Sequence, residues 1–452
     1  MTSLFGTDGV RGEANRLLTP ELAMSLARAA ARLVPSGGRV IIGRDSRTSG
    51  PMLEAALAAG FASAGVDVGL AGIIPTPAIS FLIKDERADL GAVISASHNP
   101  PEDNGIKFFD RLGCKLVADQ ETAIEAALPG PFVLAPRAAT IRRLEAAATR
   151  YAAFLTGAIE SEDVDLSGLS IVIDCACGAT GPIAPHVLRH LGARVVELNT
   201  ATDGDRINVG CGSTHLETVR AAVAEHHADL GLAFDGDGDR VLLVSSGGRT
   251  IDGDQVIGIV AQHWLDRGLL TPRVVVTTVL SNFGLERALT QHGVEVVRTP
   301  VGDRNVAQAM IARGAKIGGE PSGHVIFADH APTGDGILTA VKLLEIAHEA
   351  KTDLETLARR VPLYPQASRN VPCRCPVELA ARKAVADLVS KAEKGLGGRG
   401  RVIVRPSGTQ PLVRILVEAD SQSLCDRTCA ELAAGLELEI GRASSAAWRG
   451  LD

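Results

Sequence analysis

A chain of 452 residues is too long for one hydrophobic core, so three or four domains are expected. Apolar residues make up 46% and charged residues 22%, the balance of an ordinary globular protein, and the net charge of -7 gives no electrostatic reason for a nucleic-acid or anionic-membrane partner. Aromatic residues, at 3%, are too sparse for base-stacking platforms, and an anionic substrate would have to be met by local clusters of basic residues.

The chain enters a glycine-rich motif at Leu4, Phe5 and Gly6, which predicts no signal peptide. Thr19 and Pro20 read as the N-cap and first turn of a helix whose apolar stripe is Leu22, Leu26, Ala29, Ala30 and Leu33. Arg39–Gly43 reads as a strand, followed by Asp45-Ser46-Arg47. A helix beginning near Ser49 follows, with Leu53, Leu57 and Phe61 on one buried face. The longest apolar tract, Ala55 to Ile83, is broken by Asp67 and by Pro75-Thr76-Pro77 into pieces too short to span a bilayer. The expected compartment is therefore the cytoplasm.

Gly91–Ser95 is a further strand, and the pattern restarts at Ser170–Asp174, with Gly181-Pro182 opening a helix to His190. Strands follow at Arg194–Leu198 and Leu230–Phe234. It restarts again at Arg273–Thr278, with a helix at Phe283–His292 and a strand at Glu295–Arg298. Alternating strands and helices imply parallel βαβ units, here three similar α/β domains with mixed or parallel sheets. The end differs: helices at Val377–Lys394 and Gln422–Ala434 flank strands Arg401–Arg405 and Leu412–Glu418, an α+β domain, with Gly395–Gly400 as a surface loop. The expected domains are 1–150, 151–250, 251–365 and 366–452. Eight cysteines scattered along a long chain, with Cys175/Cys177, Cys373/Cys375 and Cys425/Cys429 the close pairs, predict free and mostly buried thiols.

Asp235-Gly236-Asp237-Gly238-Asp239-Arg240 directly follows the strand Leu230–Phe234. Three carboxylates on alternate residues, with glycine between them, can converge on one hard cation, and Mg2+ is the expected one. A calcium EF-hand would need Gly at Arg240 and Glu at Ser246. The aspartyl loop of haloacid-dehalogenase-type phosphatases would need Thr at Asp239. Ser95-Ala96-Ser97-His98-Asn99-Pro100 also follows a strand and offers a hydroxyl that could carry a phosphoryl group. A phosphoserine near -2 beside three carboxylates needs a divalent cation between them. A unit charge pair at 4 Å is worth about 4 kcal/mol at an effective dielectric near 20.

Gly319-Glu320-Pro321-Ser322-Gly323-His324 supplies a carboxylate, a hydroxyl and an imidazole suited to sugar hydroxyls. Arg405-Pro406-Ser407-Gly408-Thr409, with Arg414 on the next strand, supplies what a non-reacting phosphate requires. Gly6-Thr7-Asp8-Gly9-Val10-Arg11-Gly12 adds Arg11, and Asn104-Gly105-Ile106-Lys107 adds an amine. No Walker A or Rossmann fingerprint is present, which argues against a nucleotide.

These five loops, in this order along the whole chain, resemble the phosphohexomutase superfamily. The resemblance implies four domains around a central cleft, with Ser97 as the phosphoserine and Asp235, Asp237 and Asp239 holding one Mg2+ together with its phosphate. Glu320 and Ser322 would hold the sugar, while Arg405, Ser407, Gly408, Thr409 and Arg414 would grip the distal phosphate. Arg11, Lys107 and Arg240 would line the transfer site, with Lys107 and His324 as proton carriers. Within the superfamily Gly6–Gly12, Asp103–Phe109, Cys211–His215 and Val301–Arg304 are similar to phosphoglucosamine mutases, which interconvert the 6- and 1-phosphates of glucosamine. Pro321 and Gln410 depart from that group, where Gln and Glu are usual. The expected partners are a hexosamine phosphate and glucosamine 1,6-bisphosphate as intermediate, with no nucleic acid and no membrane, and a homodimer left open. A phosphomannomutase/phosphoglucomutase activity and a non-catalytic sugar-phosphate sensor are the alternatives.

Overall fold

The computed structural model describes residues 4–6, 8–130, 132, 134–161, 164–407 and 411–448. The chain forms two compact units, Met1–Ser281 with Leu289–Arg360, and Asn282–Ala288 with Val361–Asp452.

The first unit holds three sheets. Strands β1 (Val10–Glu13), β2 (Arg39–Arg44), β3 (Asp67–Ile73), β4 (Leu90–Ile94), β5 (Asp103–Asp110) and β6 (Ile141–Arg143) assemble in the order β1-β5-β4-β2-β3-β6. Strands β7 (Ser170–Asp174), β8 (Arg194–Leu198), β9 (Leu230–Phe234), β10 (Val241–Ser245) and β11 (Thr250–Ile251) take the order β11-β10-β9-β7-β8. The third sheet, of β12 (Val274–Thr278), β13 (Glu295–Thr299), β14 (Ile317–Gly319) and β15 (Val325–Phe327), runs β13-β12-β14-β15.

One plan recurs in all three. A first strand pairs in parallel with a neighbour on each side (β2 with β3 and β4, β7 with β8 and β9, β12 with β13 and β14). The chain then turns back into an antiparallel strand, β5, β10 or β15. The restarts read from periodicity are therefore three copies of one design. The parallel strands are apolar runs because helices cover their faces. The helix Gly50–Ser63 is an example: Leu53, Leu57 and Phe61 are fully buried at spacing four, each worth about 2 kcal/mol against exposure. The helix Pro20–Ala30 starts where Thr19 and Pro20 predict, with the Leu22 N–H donating to Thr19 Oγ1 at 3.2 Å.

The second unit contains β16 (Gln366–Pro372), β17 (Gly400–Pro406) and β18 (Leu412–Ala419), antiparallel in the order β16-β18-β17. Their inner face packs on helices through Val371, Val413, Ile415, Cys425, Cys429 and Leu432. Three details depart from the periodicity reading. β16 is an additional strand, hidden because Ser368, Arg369 and Asn370 are exposed on an edge and Val371 alone is buried. The expected helix Val377–Lys394 is two, Pro376–Ala380 and Lys383–Leu396, restarted at Arg382 with extended backbone. The helix after Gly181-Pro182 begins later, at Ala184. The last helix runs from Gln422 to Trp448. Among the described residues no helix is long and apolar enough to cross a membrane.

Candidate active site

The repeated plan places three polar loops at equivalent connections. Ser97 lies between β4 and β5, Asp235–Arg240 between β9 and β10, and Glu320–His324 between β14 and β15. Each leaves the carboxyl end of a parallel strand, where open α/β sheets bind ligands.

Ser97 is 1% exposed and adopts a left-handed backbone with φ of 53°, a conformation that costs a residue with a side chain on the order of 1–2 kcal/mol. Its N–H donates to Ser95 Oγ at 2.8 Å, and that hydroxyl donates to Asp45 Oδ2 at 2.6 Å. The Ser97 hydroxyl in turn donates to Asp235 Oδ2 at 2.6 Å. The serine and the aspartate loop, which sequence reasoning coupled through charge, are in direct contact.

Asp235, Asp237 and Asp239 are all buried, and one carboxylate oxygen from each lies within 4.8 Å of the others. Burial, and then the neighbouring Asp239 and Asp237, push the Asp235 carboxyl well above the usual range. Asp237 Oδ1 and Asp239 Oδ1 are buried without a hydrogen-bond partner. Three crowded carboxylates with two orphaned hard oxygens fit a divalent cation such as Mg2+. Gly236 gives the loop its tightness: a Cβ there would stand 2.8 Å from the Ser97 carbonyl and 2.8 Å from Asn208 Nδ2.

Cations close the site on its other sides. Lys107 is 1% exposed, with Nζ 3.1 Å from Asp237 Oδ2 and 3.0 Å from Asp8 Oδ2. Burial works to lower its pKa, but Asp237 and Asp8 outweigh burial and raise it. Lys107 is thus held as a cation between two carboxylates. Asp8 also pairs with Arg11 and Lys115, and Lys115 reaches across to Asp303 at the start of the helix Asp303–Arg313. Arg240 donates from Nη1 to His98 Nδ1 at 3.1 Å, and burial, then Arg240 and Arg11, push His98 down to about 4.

His324 is 1% exposed, with Nδ1 3.4 Å from Asp239 and Nε2 accepting from the Gly334 N–H at 3.0 Å. A proton on Nδ1 satisfies both contacts. Burial opposes a second proton on this ring, while Asp239 and Asp303 favour it and raise the pKa; that proton would sit on Nε2 and break the Gly334 contact. Glu320 Oε1 accepts from the Gly302 N–H at 3.0 Å, and Ser322 Oγ donates to Glu320 Oε2 at 3.4 Å. These loops open on a cavity of about 370 Å3 lined by Arg11, His98, Asp239, Arg240, Glu320 and His324, among others. That volume lies within the range of small-ligand sites.

In the second unit, Arg405 and Arg414 are directly opposed across β17 and β18, and the Ser407 N–H donates to the Leu412 carbonyl at 2.9 Å. Like charges at directly opposed positions of an antiparallel pair disfavour each other, and an anion between them would be favoured. Gly408 and Thr409 lie outside the described residues.

Sequence reasoning missed four residues that hold the site. Arg47 is fully buried and binds the carbonyls of Ser97 and Asn99, at 3.0 and 2.8 Å; its only sequence signal was its place just after a strand. Asn208 donates to the same two carbonyls. Thr76, read as part of a turn, donates to the Asp237 carboxylate at 2.7 Å through its hydroxyl and to the Asp237 carbonyl at 2.8 Å through its N–H. Lys115 bridges Asp8 and Asp303.

Comparison with known proteins agrees with this architecture. Residues 2–130, 149–248 and 252–364 match the models of phosphoglucomutase/phosphomannomutase α/β/α domains I, II and III, and residues 370–435 match the C-terminal domain. The phosphoglucosamine mutase of Carboxydothermus hydrogenoformans is 45% identical over 442 residues, covering 97% of this chain and 100% of that one. That of Pelotomaculum thermopropionicum is 48% identical over 426 residues, covering 92% and 95%. A solved phosphoglucomutase/phosphomannomutase family protein from Burkholderia thailandensis superposes with a TM-score of 0.82 at 28% identity, covering 97% of this chain and 98% of that one. The chain belongs to the phosphoglucomutase/phosphomannomutase family.

Proposed function

We propose that the chain is a phosphoglucosamine mutase, interconverting glucosamine 6-phosphate and glucosamine 1-phosphate through phosphorylated Ser97. The observation that carries this reading is the Ser97 hydroxyl donating at 2.6 Å to Asp235, the head of a buried three-carboxylate loop. The likeness to phosphoglucosamine mutases at 45% and 48% identity supports the choice of sugar.

In the forward direction the sugar's O1 attacks the phosphorus on Ser97. The P–Oγ bond breaks as the P–O1 bond forms, and the O1 proton passes to a base in the cleft. The resulting 1,6-bisphosphate turns end for end, and Ser97 Oγ takes back the phosphoryl from O6, whose oxygen regains a proton. Asp235, Asp237 and Asp239 would hold the Mg2+, which when bound neutralises the charge of the phosphoserine and the carboxylates around it. Lys107, Arg11 and Arg240 place fixed positive charge around the moving phosphoryl, which suits a step driven by positioning and electrostatics. Lys107, between Asp8 and Asp237, and His324, beside Asp239, are the two candidate proton carriers. Glu320 and Ser322 orient the sugar, and Arg405, Ser407, Gly408, Thr409 and Arg414 grip the phosphate that is not reacting.

The test is a set of initial rates of Mg2+-loaded protein on glucosamine 6-phosphate, glucose 1-phosphate and mannose 1-phosphate, each with its bisphosphate. A kcat/KM preference of about a hundredfold for the amino sugar, near 3 kcal/mol, is expected. Equal or better rates on the neutral sugars would move the chain to phosphomannomutase/phosphoglucomutase activity and point to Pro321. Stable Ser97 phosphorylation without turnover of any sugar phosphate would make it a sensor.

A further inference from the structure

We infer that Arg47 and Asn208 form a two-donor clamp that positions Ser97 for phosphoryl transfer, an inference that rests on the phosphoserine reading above. The clamp acts on the backbone and touches neither substrate nor the reacting oxygen. Arg47 Nη2 donates to the Ser97 carbonyl at 3.0 Å and to the Asn99 carbonyl at 2.8 Å. Its Nη1 donates to the Asp103 carbonyl at 2.8 Å and also to that of Pro100. The remaining nitrogen, Nε, is held by Asp45 Oδ2 at 3.0 Å, and the pair is fully buried. One guanidinium therefore gathers four carbonyls of the segment from Ser97 to the start of β5 at Asp103, a task that needs the planar fork of arginine and that a lysine cannot repeat.

Asn208 approaches the same loop from the second α/β repeat. Its Nδ2 donates to the Ser97 carbonyl at 2.9 Å and to the Asn99 carbonyl at 3.0 Å. Asn208 is itself left-handed, with φ of 61°, and its N–H is anchored on the Ala176 carbonyl at 3.0 Å. Asparagine tolerates that backbone better than most residues. The carbonyls of Ser97 and Asn99 bracket His98, so pinning both fixes the curvature that turns the Ser97 hydroxyl toward Asp235. The carbonyl of Ser97, the amide of Asn208 and the backbone of Gly236 also meet at one point, where a Cβ on residue 236 has no room. Asn208 thus registers the serine loop of one repeat against the carboxylate loop of the next. Neither loop has to move for the other to find it.

The experiment compares Asn208→Ala and Arg47→Lys with the Mg2+-loaded, full-length wild type. Asn208→Ala is expected to lower kcat about tenfold and Arg47→Lys about a hundredfold, the scale of a displacement near 1 Å in a positioned reaction. KM and the Mg2+ concentration for half-maximal rate are expected to stay within threefold, because the clamp bonds neither the sugar nor the carboxylates of Asp235, Asp237 and Asp239. Phosphate on Ser97, followed by intact mass, should discharge to substrate more slowly by the same factor as kcat. If Arg47→Lys does not fold, Asn208→Ala decides alone, since it leaves the buried Arg47–Asp45 pair in place. A folded Asn208→Ala enzyme with wild-type kcat would overturn the inference, and so would a loss of kcat matched by an equal loss of Mg2+ affinity. Absence of phosphate from wild-type Ser97 during turnover would instead sink the phosphoserine reading itself, so the two failures are distinguishable.

Discussion

The surroundings of Ser97 and the strand pair carrying Arg405 and Arg414 both collect positive charge, but they arrange it differently. Near Ser97 every cation has a carboxylate. Lys107 lies between Asp8 and Asp237, Lys115 between Asp8 and Asp303, and Arg240 is 3.6 Å from Asp239. On β17 and β18, Arg405 and Arg414 occupy directly opposed positions, and among the described residues no carboxylate pairs with Arg405. The difference follows from what each region has to do. Groups around a reacting phosphoryl must already be in place before charge moves, and mutual ion pairs hold them there at no reorganisation cost. A group that grips a phosphate arriving with the substrate gains most if its charge is left uncompensated until then.

The largest effect that would break this comparison is at Ser97. Ser97→Ala removes the carrier oxygen while leaving the balanced cations intact, and kcat should fall by at least about 10^4-fold. A coupled assay of glucosamine 1-phosphate formation measures it, and near-normal turnover would end the assignment. Asp237→Asn comes next. It removes a buried oxygen from the metal loop and also unbalances Lys107 and Thr76, which both bond Asp237. We expect kcat to fall about 10^3-fold and the Mg2+ requirement to rise at least tenfold, read from rates against Mg2+ concentration. A variant with unchanged Mg2+ dependence would remove Asp237 from the metal set.

On the strand pair, Arg405→Ala should raise KM about tenfold to a hundredfold, the worth of a charge-assisted hydrogen bond to phosphate. It should also stabilise the free protein slightly, by about 0.2–1 kcal/mol, because it relieves the repulsion across β17 and β18. Substrate saturation curves and urea denaturation check the two halves separately. A variant that loses both affinity and stability would mean that Arg405 is already compensated without ligand.

Much of this organisation is legible in the residues. Apolar strand runs mark β7, β8 and β9 to the residue, and the polar loops stand out because each follows such a run directly. Contacts formed through backbone carbonyls are not legible. Arg47 and Asn208 act on the oxygens of Ser97 and Asn99, atoms that every residue possesses, so no motif advertises them. Lys115 becomes part of the site only when folding brings Asp8 and Asp303 to it from opposite ends of the first unit. β16 was hidden for the converse reason, since an exposed edge strand needs few apolar residues.

The smallest expected effect concerns pH. His98 sits among the cations without a balancing carboxylate of its own, and burial, then Arg240 and Arg11, lower its pKa to about 4. In the unfolded chain it titrates near 6.5, so between those values the unfolded state binds the extra proton. Native stability should therefore fall as pH drops from 6.5 toward 4 and be free of this contribution above 6.5. The ring is only half-buried, so solvent screens part of the displacement and the loss should come to about 1–2 kcal/mol. His98→Asn should flatten that slope in urea melts taken at pH 4.5, 5.5 and 7. A slope that persists unchanged in the variant would assign it to the carboxylates and would place His98, like Lys107, among the groups whose charge is already settled by its neighbours.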